Sequence, residues 1–218
     1  MEITYIGHAC FRIKGKDTTV VIDPYDPTKV GFKLPKLGAD IVLTTHDHDD
    51  HGYVKGVSDY KLHIKTPGEY EMAGTYISGF STKHDTKNGV DRGDNTIYFI
   101  EIDGFNLLHL GDLGHELSKE TMERLPDIDI LMIPVGGTYT INANTATKVI
   151  SSIEPKAVIP MHYQTEDLKL SKKLDGIKVF LEAMGEENGI KEVESLKVSR
   201  DIDLPSEEMG VFVLKPKH

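Results

Sequence analysis

The passage from Ile41 to His51, Ile-Val-Leu-Thr-Thr-His-Asp-His-Asp-Asp-His, constrains this chain most. Its apolar start ends in four potential metal ligands, His46, His48, Asp50 and His51, within six residues. As a plain solvated loop it would crowd Asp47, Asp49 and Asp50 with nothing to offset their repulsion. A bound cation removes that difficulty. Neutral imidazole with carboxylate suits zinc first, with manganese or iron as the other candidates. On an extended backbone His46 and His48 can turn both rings to one point, and Asp50 and His51 lie just onward for a second, adjacent metal. Six residues cannot close a two-metal site, so the fold must deliver further ligands to the same place.

Other polar residues stand at equivalent places. His84 follows a strand-like run at 76–81, Asp112 follows 106–110 across Gly111, His162 follows 157–160, and Asp23 ends 18–22. Taken singly, each reads as a strand-terminal turn. Taken together they mark strand exits, where α/β proteins build their sites. Further strands are expected at 3–6, 10–13, 41–45, 96–102, 130–133 and 211–214. Helices are expected at 118–125, capped by Ser118 with Pro126 beyond, and at 144–153. The second has an asparagine cap, apolar Ala146, Val149 and Ile150 at helical spacing, and Pro155 as its stop. Strands then helix then strand, twice over, describe sheets covered by helices. The 218 residues suffice for one well-buried domain, 1–218. The charged stretch from Glu186 to Glu207 reads as an excursion before the last strand.

Composition bears on partners and compartment. A net charge of −10 with no Lys/Arg-rich run argues against nucleic acid and anionic lipid. No apolar run reaches the roughly 20 residues that span a bilayer. The start, Met-Glu-Ile-Thr-Tyr, lacks the basic and apolar segments of a secretory signal. The lone Cys10 cannot form an internal disulfide, which fits a reducing, cytoplasmic setting, and between Ala9 and Phe11 it reads as a small core residue.

The series His46-x-His48-x-Asp50-His51, then single His84, Asp112 and His162, resembles the ligand set of the metallo-β-lactamase superfamily, with Asp23 before Pro24 matching its first motif aspartate. Gly7-His8-Ala9 and Pro134-Val135-Gly136-Gly137 are similar to the small lactamase-like hydrolases related to ascorbate-phosphate lactonases. The resemblance implies an α/β fold, a four-layer αββα sandwich. It also implies a pair of divalent metals: His46, His48 and His84 on one, Asp50, His51 and His162 on the other, Asp112 bridging, and Asp23 behind a ligand histidine. Such pairs lie roughly 3.5–4 Å apart and lower the pKa of a shared water towards about 7. The implied activity is hydrolysis of an ester, lactone or phosphodiester bond of a small molecule. Two divalent cations, two carboxylates and a hydroxide leave a centre of about +1, which favours an anionic substrate.

Asp50 is a candidate to orient the nucleophile. His8 is a candidate to protonate a leaving group or steady the metal shell, the alternative being a buried histidine bonded to backbone. Gly137, Thr138 and Tyr139 form a candidate substrate-binding turn offering N–H groups to an anion, or an ordinary turn into the next helix. Residues 88–95 read as an exposed loop beside the pocket, His109 as structural and 67–69 as a turn. Tyr163 can reach the pocket or belong to the core. The bridging position of Asp112 argues against a true β-lactamase. Competing readings are a mononuclear iron dioxygenase of the same fold, an RNA-processing phosphodiesterase, and a protein that binds metal without turnover. The sequence leaves the oligomeric state open.

Overall fold

A computed structural model describes residues 1–186, 190, 192–199, 204–205 and 209–218. In chain order the strands are β1 (Glu2–Gly7), β2 (Cys10–Lys14), β3 (Thr19–Ile22), β4 (Leu37–Gly38), β5 (Ile41–Leu43), β6 (Val57–Ser58), β7 (Leu62–Ile64), β8 (Gly68–Met72), β9 (Thr75–Lys83), β10 (Asp94–Ile102), β11 (Phe105–His109), β12 (Ile130–Pro134), β13 (Ala157–Met161), β14 (Leu196–Lys197) and β15 (Gly210–Val211). The α-helices are α1 (Pro27–Val30), α2 (Lys119–Arg124), α3 (Ala143–Ile153) and α4 (Ile177–Ala183). One sheet runs β14-β1-β2-β3-β5-β7 and the other β15-β13-β12-β11-β10-β9-β8, with β4 and β6 paired apart. β3, β5 and β7 are parallel, as are β11, β12, β13 and β15.

Period-two alternation explains how the first sheet is buried on both faces. Ile3, Tyr5, Phe11, Ile13, Val20, Ile22, Ile41 and Leu43 enter the main core shared with the second sheet. The alternate residues Ile6, Cys10, Val21 and Val42 enter a smaller core with Tyr25, Val30 and Leu168. α3 adds Ala143, Ala146, Val149 and Ile150 to the main core at helical spacing. The αββα layering is therefore uneven, with an eleven-residue helix on one side and the single turn of α1 plus loops on the other.

Several boundaries differ from the sequence reading. The cap of α3 is Asn142, with Oδ1 accepting from Thr145 N at 2.9 Å, not Asn144, which lies inside the first turn. β5 stops at Leu43 because the Thr45 N–H turns away to a side chain, so the His46–His51 cluster sits in bends and a turn rather than on extended backbone. Gly68 opens edge strand β8 instead of a turn, and Leu214 pairs with Val193 outside the last strand. In the stretch from Glu186 to Glu207, residues 187–189, 191, 200–203 and 206–207 lie outside the described residues. The described part contributes β14 to the edge of the first sheet. The elements not foreseen are short: α1 is capped by Asp26, and α4 has no capping side chain to announce it.

Candidate metal centre

Each candidate ligand, together with His8 and Asp23, stands past the C-terminal end of a strand. His8 follows β1, Asp23 follows β3, and the His46–His51 loop follows β5 in the first sheet. In the second, His84 follows β9, Asp112 follows β11 and His162 follows β13. They meet around the Asp112 carboxylate. Its Oδ2 lies 3.1 Å from His84 Nε2, 3.3 Å from both His51 Nε2 and His162 Nε2, and 3.9 Å from His46 Nε2. Three sets of ligand atoms fall within 4.8 Å of one another: His46 with His48 and His84, His46 with His51 and Asp112, and His8 with His51 and His162. Asp50 sits beside them, Oδ2 at 3.1 Å from His8 Nε2 and 3.9 Å from His51 Nε2.

Hydrogen bonds decide which ring nitrogens face the centre. Asp23 is fully buried. Its Oδ1 accepts from Thr45 N at 2.8 Å, and its Oδ2 accepts from Thr45 Oγ1 at 2.8 Å and from His51 Nδ1 at 2.9 Å. A carboxylate offers no proton, so His51 must donate through Nδ1, which leaves Nε2 for the centre. The one Thr45 hydroxyl proton goes to Asp23, so Thr45 Oγ1 accepts from His46 Nδ1 at 3.0 Å, and His46 likewise presents Nε2.

Among the described residues the buried side-chain atoms without a hydrogen-bond partner are His8 Nδ1, His46 Nε2, His51 Nε2, His84 Nδ1, Asp112 Oδ1 and His162 Nδ1. All six belong to this one cluster. Native proteins rarely leave buried polar atoms unpaired, and a group of buried imidazoles gathered about a carboxylate is the donor set a divalent cation requires. The residues present therefore fit a metal. Burial, then the neighbouring His51, pushes His46 down to about 3, and burial with His162 pushes His8 down to about 4, so both rings are neutral at neutral pH. Burial opposes the charge on Asp112, but His162 and His51 hold its carboxyl well below the usual range. At His51 burial is outweighed by Asp112, Asp23 and Asp50, which raise it.

Apart from Asp23, the framework behind the candidate ligands was not legible in the sequence. Asn95 accepts from Asp112 N at 3.0 Å and donates to Leu110 O at 3.0 Å and Thr82 Oγ1 at 2.9 Å, setting the loop that carries Asp112. Gly111 is obligatory: φ is +52°, and a Cβ there would meet Asn95 Oδ1 at 2.5 Å. A Cβ on Gly114 would strike the backbone of His84 and Asp85, so this glycine lets the two ligand loops touch. Asp85 accepts from the backbone N–H groups of Lys87, Gly89, Asp91 and Arg92, folding the loop after His84 onto itself. His8, Asp23 and His162 all have positive φ, at 59°, 47° and 52°. Such strain collects at functional sites.

The remaining candidates lie elsewhere. His109 donates to Ala9 O at 3.0 Å and accepts from Gly111 N at 3.1 Å, a fully satisfied structural histidine. Cys10 is buried in the smaller core and Tyr163 in the main one. Gly137 and Thr138 line a cavity of about 580 Å³ with Thr86, His115, Asn142 and Thr145, beside the His84 loop. The Tyr139 hydroxyl is engaged by Ser171 Oγ at 2.6 Å and Lys172 N at 2.9 Å, and its ring lies under Arg92. On the exposed side of His48 a second cavity, of about 290 Å³, is lined by Asp26, Asp47, Asp49, Tyr53 and Lys55.

Comparison with known proteins gives consistent relatives. The family described as beta-lactamase superfamily domain matches residues 2–162, ending on the last candidate ligand. A protein named as a metal-dependent hydrolase from Nitratidesulfovibrio vulgaris strain Hildenborough is 30% identical over 196 residues, covering 75% of this chain and 80% of its own. Another so named, from Thermoplasma acidophilum, is 28% identical over 192 residues, covering 77% and 85%. A crystal structure from Thermotoga maritima, provisionally a Zn-dependent hydrolase of the metallo-β-lactamase superfamily, has a TM-score of 0.76. It is 32% identical and covers 98% of each chain.

Proposed function

The chain belongs to the β-lactamase superfamily domain family and is a metal-dependent hydrolase of it. From that premise we propose that it binds two divalent cations, zinc by preference, and hydrolyses an ester, lactone or phosphodiester bond of a small anionic substrate. The observation that carries this reading is that all six unpartnered buried polar atoms belong to residues of one cluster, four of whose histidines bring Nε2 within 3.9 Å of Asp112 Oδ2. His46, His48 and His84 would hold the outer ion, His51 and His162 with Asp50 the deeper one, and Asp112 both. When bound, such a pair polarises the scissile group and lowers the pKa of water.

The chain's own residues supply orientation and charge. Asp23 holds His51 in one tautomer and, through Thr45, holds His46 as well. Asp50 is half-buried. Burial works against its charge, but His51 and His8 keep its carboxyl far below the ordinary range, so it is ionised and free to orient the attacking water. The cavity beside the His84 loop, lined by threonine hydroxyls, the Asn142 amide and the single carboxylate of Glu116, suits the non-reacting part of an anionic substrate better than the mouth at His48 with its three aspartates.

Elemental analysis of protein purified without added metal, together with an Asp112→Ala variant, tests the reading. Two zinc or manganese ions per chain are expected, with fewer in the variant and a loss of more than about 100-fold in hydrolysis of a phosphodiester and lactone panel. One tightly bound iron with oxygen uptake would mean dioxygenase chemistry instead, and no metal even on titration would sink the proposal.

A further inference from the structure

The geometry points to His8 as a ligand of the deeper cation, completing a trio of imidazoles with His51 and His162. The inference rests on the two-ion reading above and changes which residue fills the third place in the deeper position. Ligand atoms of these three histidines lie within 4.8 Å of one another, and all three residues are buried. The His8 ring stands 4.2 Å from that of His162 and 5.0 Å from that of His51, centroid to centroid.

Two features separate a ligand from a structural histidine here. His8 Nε2 donates to Asp50 Oδ2 at 3.1 Å, so the lone pair resides on Nδ1, and Nδ1 is one of the buried atoms without a partner. A carboxylate behind one ring nitrogen with the other left bare is the arrangement that orients metal-binding imidazole. His109, buried close by, has both nitrogens satisfied and shows the contrast. The backbone is also committed to the placement. The His8 carbonyl accepts from Tyr5 Oη at 2.8 Å and from His162 N at 2.8 Å, binding two positive-φ residues from opposite sheets to each other.

Asp50 then stands behind His8, outside the trio, with its carboxylate available to the water. The centre becomes two imidazole trios, His46–His48–His84 and His8–His51–His162, on either side of Asp112.

Cobalt(II) titration of chelator-stripped protein, followed by calorimetry and visible absorption, tests this without recourse to activity. The parent should bind two equivalents. His8→Gly removes the imidazole and tolerates a φ of 59°. It should keep one equivalent and weaken the other by about 10–100-fold, with a changed absorption band for that ion. His8→Asn, which also accommodates positive φ, should behave alike and serves if the glycine variant does not fold. Second-ion binding unchanged in both variants but lost in Asp50→Asn would overturn the assignment while leaving the two-ion reading intact. A parent that binds one ion or none would remove both.

Discussion

Asp23 shows how one buried carboxylate governs two candidate ligands. It pins Thr45, the residue before His46, and accepts the Nδ1 proton of His51. Asp23→Asn places an N–H₂ where two donors already point. Relief requires His51 to take its other tautomer, which puts a proton on Nε2, the nitrogen facing the centre. Zinc affinity at the deeper position should fall by about 10–100-fold, read by competition with a chromogenic chelator. An unchanged affinity would place the orienting role elsewhere. The same logic explains why Thr45 and Asn95 matter although neither bears on a metal directly.

At the scale of elements, helix caps and strand ends determine where the side chains go. Asn142 caps α3 and also bridges to Gly136 at the base of the 136–140 turn, so one residue starts the helix and closes that turn. Asn142→Ala should destabilise the protein by about 1 kcal/mol in urea unfolding. Asn144→Ala, inside the first turn, should cost far less. Equal effects would show that the cap hydrogen bond contributes nothing of its own. The short β5 makes a related point: ending at Leu43 rather than Thr45 converts an extended ligand strand into a turn, in which His48 O accepts from His51 N at 2.9 Å and Gly52 N at 2.7 Å.

Across the whole molecule the centre joins two sheets. His46, His48 and His51 come from the first, and His84, Asp112 and His162 from the second. Direct bonds between the sheets nearby are few, among them Thr96 N to Thr45 O at 2.8 Å and Tyr98 Oη to Thr44 O at 3.0 Å. Bound cations would therefore act as a cross-link of the folded state alone. At a free metal concentration 100 times Kd each contributes about 2.7 kcal/mol, and each kcal/mol corresponds to about 2–4 °C in a domain of this size. Chelation should lower the thermal midpoint of the parent by about 5–10 °C per ion lost. Asp112→Ala should show little of this response in calorimetry, and an equal fall in both proteins would mean that Asp112 is not needed to hold the cations.

The candidate donors, their order and their location at strand exits were legible in the sequence, because apolar runs with period two announce strands and polar residues after them announce an edge. His46, His48, His84, Asp112 and His162 could be read that way without any three-dimensional knowledge. Whether they converge, and which nitrogen each ring presents, could not. That depended on contacts between residues distant in the chain: Asp23 with Thr45 and His51, Asn95 with Asp112, His8 with Asp50 and His162. Hydrogen bonds between side chains leave no periodic trace, and positive φ at a non-glycine residue leaves none either. Sequence alone determined which chemistry the chain can carry. The face-to-face packing of two sheets decided how the donors are aimed, because His51 is turned by Asp23 and His8 by Asp50, partners distant in the chain that only the fold brings beside those rings.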